Sequence, residues 1–172
     1  MPSDTESDYG IEAWANAVRS LAKASDRGAL AELRRSGKEL PAAFWKIAVK
    51  TDPRARPERI KRMALVLQML ALRPDKLIAG RGKLGEALAT ENISEARVQK
   101  LMTARGPALD DQVIRVARQL ANSGALPYRE LAELLLAEDH GCPAVELIRL
   151  EIARGYWVNR AAAPTEVPES ED

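Results

Sequence analysis

The feature that most constrains the fold is the run Met63-Ala64-Leu65-Val66-Leu67-Gln68-Met69-Leu70-Ala71-Leu72, apolar everywhere except Gln68. Wound as a helix at about 100° per residue, it is apolar on nearly every side. A helix of that kind must be central, and the rest of the chain must enclose it. The run is too short to cross a bilayer, which takes about 20 apolar residues.

The enclosing elements read as helices. Ile11, Trp14, Ala15, Val18, Leu21 and Ala22 follow helical spacing and predict a helix over 11–24. Asp26 is a plausible N-cap for a second, ending near Ser36-Gly37. Pro41 stands in the first turn of a third, over 40–49, and Pro57 opens the central one, which Arg73-Pro74 closes. After a glycine-punctuated basic loop at 73–83 come a short helix at 84–89 and a Ser94-capped helix to about Arg105. A helix from Asp110 or Asp111 to Gly124 follows, then one from Pro127 to Glu138 and a last one over about 145–159. No stretch alternates over a strand's length, and the 46% apolar fraction, mostly Ala and Leu with 7 aromatic residues, suits helices. The expectation is an all-α fold, a compact bundle of about nine helices. Two packed lobes are expected, 11–90 and 91–161, with disordered acidic tails at 1–10 and 162–172.

Catalytic patterns are missing. The single histidine and single cysteine lie together in Asp139-His140-Gly141-Cys142. One of each does not make a three- or four-ligand zinc site, and the pair lacks an orienting third group, so a structural turn is expected. Gly80-Arg81-Gly82-Lys83 resembles a fragment of a phosphate loop without its spacing or its Ser/Thr. The reading is no enzyme, no catalytic residue, no metal and no cofactor. One cysteine excludes an intrachain disulfide, and Met1-Pro2-Ser3-Asp4 opens no signal peptide, so a reducing, cytoplasmic setting is expected, with no membrane partner.

Charge is where the chain is specific. The formal net charge of +1 conceals acidic ends, with Asp4, Glu6, Asp8 and Glu12 at one and Glu166, Glu169, Glu171 and Asp172 at the other. Setting those eight aside leaves 26 basic against 17 acidic side chains, a body of +9 with the histidine neutral. Residues 46–83 alone hold eleven basic and three acidic side chains. Arg54, Arg56, Arg59, Lys61 and Arg62 bracket the start of the central helix, where the helix dipole favours carboxylates. Placed against that preference, they suit a phosphate. Further on, Arg97 and Lys100 flank one helix, and Arg115 and Arg118 share the polar face of the next. Each flank alone reads as a solvated face; several on successive helices suit a groove for a polyanion. Trp14, Phe44, Trp45 and Trp157 all fall at core-like positions, which leaves few rings to stack bases. Sequence-independent backbone tracking is therefore the expected mode.

Several segments in one order carry a resemblance: Arg27–Arg35, the apolar helix after a basic Pro-rich loop, Leu84-Gly85-Glu86-Ala87-Leu88, Ser94–Ala104, Leu126-Pro127-Tyr128 and a final helix ending in aromatic residues. Together they resemble the CasB family, the small subunit of type I-E CRISPR Cascade, over nearly all of residues 11–158. The resemblance implies an all-helical, non-catalytic protein that pairs with a second copy of itself beside the backbone and large Cascade subunits. It implies contacts to guide RNA and to target and displaced DNA strands, which stabilise the R-loop. Arg34 and Arg35 match the arginine pair closing the family's first motif. Arg97 matches the second of two arginines, the first being Ala96 here, and Arg118 falls near a further arginine pair, with Arg115 one turn before it. The loop of Arg54, Arg56 and Arg59 matches by position and charge. The expected phosphate contacts are Arg34, Arg35, Arg54, Arg56, Arg59, Arg62, Arg97, Arg115 and Arg118, with Lys61, Lys100 and Arg105 as second choices. The competing readings are a helix-turn-helix DNA-binding regulator and a helical protein–protein adaptor.

Overall fold

The computed structural model describes residues 10–137 and 143–162. The expected acidic tails (but for Gly10 and Ala162 at their inner edges) and the Asp139–Cys142 turn lie outside the described residues. Nine α-helices are present among those described, with one two-stranded parallel sheet. The helices are α1 (Ile11–Lys23), α2 (Arg27–Leu33), α3 (Ala42–Thr51), α4 (Pro57–Leu70), α5 (Leu84–Thr90), α6 (Glu95–Thr103), α7 (Gly106–Ser123), α8 (Tyr128–Ala137) and α9 (Pro143–Ala162). The all-α expectation holds.

The central helix is α4. It packs against α1, α2, α3, α7 and α8, and Met63, Ala64 and Val66 through Leu70 are buried. Gln68, the one polar residue of the run, is buried too and ties α2 to α4. Its Nε2 donates to Arg34 O at 3.0 Å. A Cβ on Gly37 would lie 2.1 Å from the Gln68 Oε1, so the turn after α2 needs glycine there for close approach. Beside it Ser36 Oγ, also buried, stands 2.6 Å from Leu33 O and 2.7 Å from Ala64 O. Helix α8 is enclosed as well: all its residues but Arg129 are buried.

Several boundaries differ from expectation. Helix α2 stops at Leu33, and residues 34–38 form a turn. Helix α7 starts at Gly106-Pro107, not at Asp110 or Asp111. Gly106 takes φ +54°, and Pro107 has the fixed φ a first helical turn favours. The carboxylate of Asp110 is used elsewhere. Leu126-Pro127, expected in a helix, forms strand β2, which pairs in parallel with β1 (Leu77–Ile78). Two-residue strands are too short to show a period of two, so the sequence carried no signal for them.

Helices α5 and α9 make the closest pairing in the fold. Gly85 and Gly155 face each other, and a Cβ on Gly85 would lie 2.4 Å from Ile152 O. The start of α5 is capped from α8. Buried Glu130 Oε1 accepts from Lys83 N at 3.0 Å and Leu84 N at 3.3 Å. Burial pushes the Glu130 carboxyl up from its ordinary value, and those backbone donors oppose the shift.

A candidate nucleic-acid interface between two helices

Two residues, Ala104 and Arg105, link α6 to α7. Ala104 adopts φ −62° and ψ 147°, so the chain turns out of α6 at once. The helices then double back alongside each other. Arg97, in the first turn of α6, donates to Gln119 near the far end of α7.

On α6, Val98 and Leu101 point inward, which leaves Arg97 and Lys100 together on an outer edge at i,i+3. On α7 the buried stripe is Leu109, Val113, Ile114, Val116, Ala117, Leu120 and Ala121. Gln112, Arg115, Arg118 and Gln119 border it. The two edges enclose a cleft of about 450 Å³ lined by four cations, Arg97, Lys100, Arg115 and Arg118, and two amides, Gln112 and Gln119, over Val116. No carboxylate lines it. All four cations are exposed, and none makes an ion pair among the described residues. Four like charges in one concavity focus a positive field, and guanidinium forks suit phosphate oxygens.

The other expected contacts do not line this cleft. Arg59 Nε donates to Asp52 Oδ2 at 2.7 Å, and its guanidinium carbon lies 5.9 Å from the Trp14 ring centroid. Arg62 pairs with Asp110, with side chains 14% and 24% exposed, and so ties α4 to α7. Arg34 is exposed, but its Nε donates 2.8 Å to Ala71 O, at the C-cap of α4. Its reach is thus partly spent on a helix-end carbonyl. Arg35, Arg54 and Arg56 are exposed. Arg105 contacts Met102 O and Ala104 O at 3.1 and 2.9 Å and pairs with Glu146 at 3.2 Å, the helix-end role the sequence allowed.

The basic loop at 73–83 carries its own counter-ions. Arg73 pairs with Asp75, which raises the guanidinium pKa and lowers the carboxyl pKa. Arg81 donates twice to the buried Glu133, at 3.1 and 2.9 Å. With Glu130 on the following backbone N–H groups, the chain's own carboxylates stand where a phosphate loop would hold its ligand.

One reading of the aromatic residues is corrected. Trp14 and Phe44 are core, but Trp45 and Trp157 are 41% and 44% exposed. Each follows a buried ring, Phe44 or Tyr156, and meets it edge-on at a centroid distance of 5.1 Å. Neighbours on a helix diverge by about 100°, so both cannot face one core. Reasoning on sequence also passed over Gln112 and Gln119. Their spacing with Arg115, at i, i+3 and i+7, was the available signal.

Among the described residues, no three or more His, Cys, Asp or Glu side chains are grouped to hold a metal ion, and no helix is long and apolar enough to cross a membrane. No curated protein and no solved structure matches the chain. The family model of CRISPR-associated protein Cse2 matches residues 29–157, from the middle of α2 to the exposed tryptophan of α9. The chain therefore belongs to the Cse2 family, the CasB subunits of type I-E CRISPR Cascade.

Proposed function

We propose that the protein is a non-enzymatic, cytoplasmic small subunit that binds nucleic-acid backbones within Cascade and stabilises the R-loop. The observation that supports this reading is the α6–α7 cleft, where four cations converge and no carboxylate competes. Arg97, Lys100, Arg115 and Arg118 meet phosphates there, and the exposed Arg35, Arg54 and Arg56 extend the contact. An R-loop exchanges one duplex for another of similar stability, so a few backbone contacts decide how long it persists. The strands served are guide RNA, target DNA and displaced DNA. The protein neighbours are the backbone and large Cascade subunits and a second copy of the chain. Exposed Trp45 and Val49 on α3, and Leu147, Leu150, Trp157 and Val158 on α9, offer apolar surface for such protein contacts.

The test is co-purification from the native operon, followed by R-loop lifetimes. Guide RNA and the large subunits should accompany the native chain. Substituting Arg97, Lys100, Arg115 and Arg118 by Gln should leave assembly intact and shorten R-loop lifetime. Unchanged lifetimes across salt concentrations would sink the cleft as the contact, and a subunit that purifies alone would sink the assembly.

A further inference from the structure

Helix α9 fixes where the acidic segment 163–172 leaves the fold. Near its start, Arg149 Nη2 donates to Ala104 O at 3.1 Å, just past the end of α6. Near its end, Tyr156 OH donates to Ile93 O at 2.7 Å and Arg160 Nη1 to Asn92 Oδ1 at 2.9 Å, just before α6 begins. Helix α9 thus runs back along α6 and stops beside its first turn. Arg97 stands in that turn and bonds Gln119 across the cleft.

Residues 163–172 carry Glu166, Glu169, Glu171 and Asp172 and no cation. Ten residues span at most about 33 Å when extended. From Asn92 to Lys100 the chain rises only about 12 Å along a helix. Length, point of departure and charge therefore all match the cleft. The other acidic segment, 1–9, leaves from α1, which packs chiefly against α2, α3 and α4.

We propose that residues 163–172 lie in the α6–α7 cleft when no nucleic acid is bound, and that a phosphate backbone must displace them. The segment acts as a built-in competing polyanion. Weak, adventitious polyanions are kept out, and a strand held in place by the rest of an assembly gets in. The inference rests on the cleft being the phosphate site.

The experiment uses the 172-residue chain and a fluorescent single-stranded oligodeoxythymidine, followed by anisotropy at low salt. One variant neutralises the segment (Glu166→Gln, Glu169→Gln, Glu171→Gln, Asp172→Asn). A second neutralises the cleft (Lys100→Gln, Arg115→Gln, Arg118→Gln). A third combines them, and a fourth changes Asp4, Glu6 and Asp8 to their amides. If the segment fills the cleft in about four molecules of five, neutralising it tightens binding about fivefold, because apparent affinity scales with the open fraction. The gain should vanish in the cleft-neutral background and be absent in the fourth variant. Carbodiimide coupling should join Lys100 to a carboxylate of 163–172, and the oligonucleotide should suppress that product. No tightening, equal tightening in the cleft-neutral background or in the fourth variant, or coupled protein in which Lys100 is not joined to the segment overturns the inference alone. Native-strength binding by the cleft-neutral variant overturns the phosphate site, and this inference with it.

Discussion

Gly85 and Gly155 touch backbone to backbone where α5 crosses α9: a Cβ added to Gly155 would stand 3.2 Å from the Gly85 Cα. The contact on the other side is tighter still, 2.4 Å from a Gly85 Cβ to Ile152 O and 2.7 Å to Tyr156 N. Gly85→Ala must therefore push one helix off the other. We expect a loss of about 1–3 kcal/mol, the usual range for overpacking, read as a lower urea midpoint at unchanged slope. Gly155→Ala should cost less. A Gly85→Ala protein as stable as the native one would show that the two helices separate freely.

Arg62 and Asp110 join α4 to α7 through a partly buried ion pair. A double-mutant cycle with Arg62→Met and Asp110→Asn should return a coupling of about 0.5–3 kcal/mol in unfolding free energy. Arg62→Met should lower stability more than it lowers oligonucleotide affinity. The reverse ranking would return Arg62 to the set of phosphate contacts.

The cleft cations should register in the salt dependence of binding. Each phosphate contact to a single strand contributes about 0.7 to the slope of log affinity against log salt. Replacing Arg97, Lys100, Arg115 and Arg118 with Gln should flatten the slope by about 3 in total. A slope that stays the same would place the contacts elsewhere on the surface.

Glu130 sets a pH dependence whose sign follows from burial. Its carboxyl is raised above the ordinary 4.5, so the folded chain holds the proton longer than the unfolded chain does. Native stability is then highest, as far as this group goes, below pH 4.5 and declines as pH rises through the raised value. Glu130→Gln keeps an acceptor for the Lys83 and Leu84 backbone and cannot ionise. Across pH 4 to 7, urea unfolding should show the native protein losing stability relative to the variant. A constant difference between them would mean that Glu130 titrates alike in both states.

Fold class was legible because helical periodicity and proline positions are local. Pro57 marks the start of α4 and Asp26 caps α2, its carboxylate accepting from Ala29 N at 2.9 Å. The start of α7 was misjudged because two carboxylates were weighed above Pro107, whereas Asp110 serves a partner 48 residues away. Of the expected contacts, Arg97, Arg115 and Arg118 are brought together, with Lys100, because the two-residue link folds α7 back on α6. That convergence depends on tertiary geometry, which no single helix encodes. Arg59 and Arg62 looked equally available in the sequence, and only the fold reveals the acids beside them.

The turn after α2 is clasped from both directions: Gln68 holds the Arg34 carbonyl, and the Arg34 side chain holds the Ala71 carbonyl. Arg35, the next residue, is exposed on that turn. Its guanidinium is mounted on a bracket bolted at two points to the central helix. A strand gripped there loses little freedom of its support on binding, and tension along that strand is borne by the core rather than by a swinging loop.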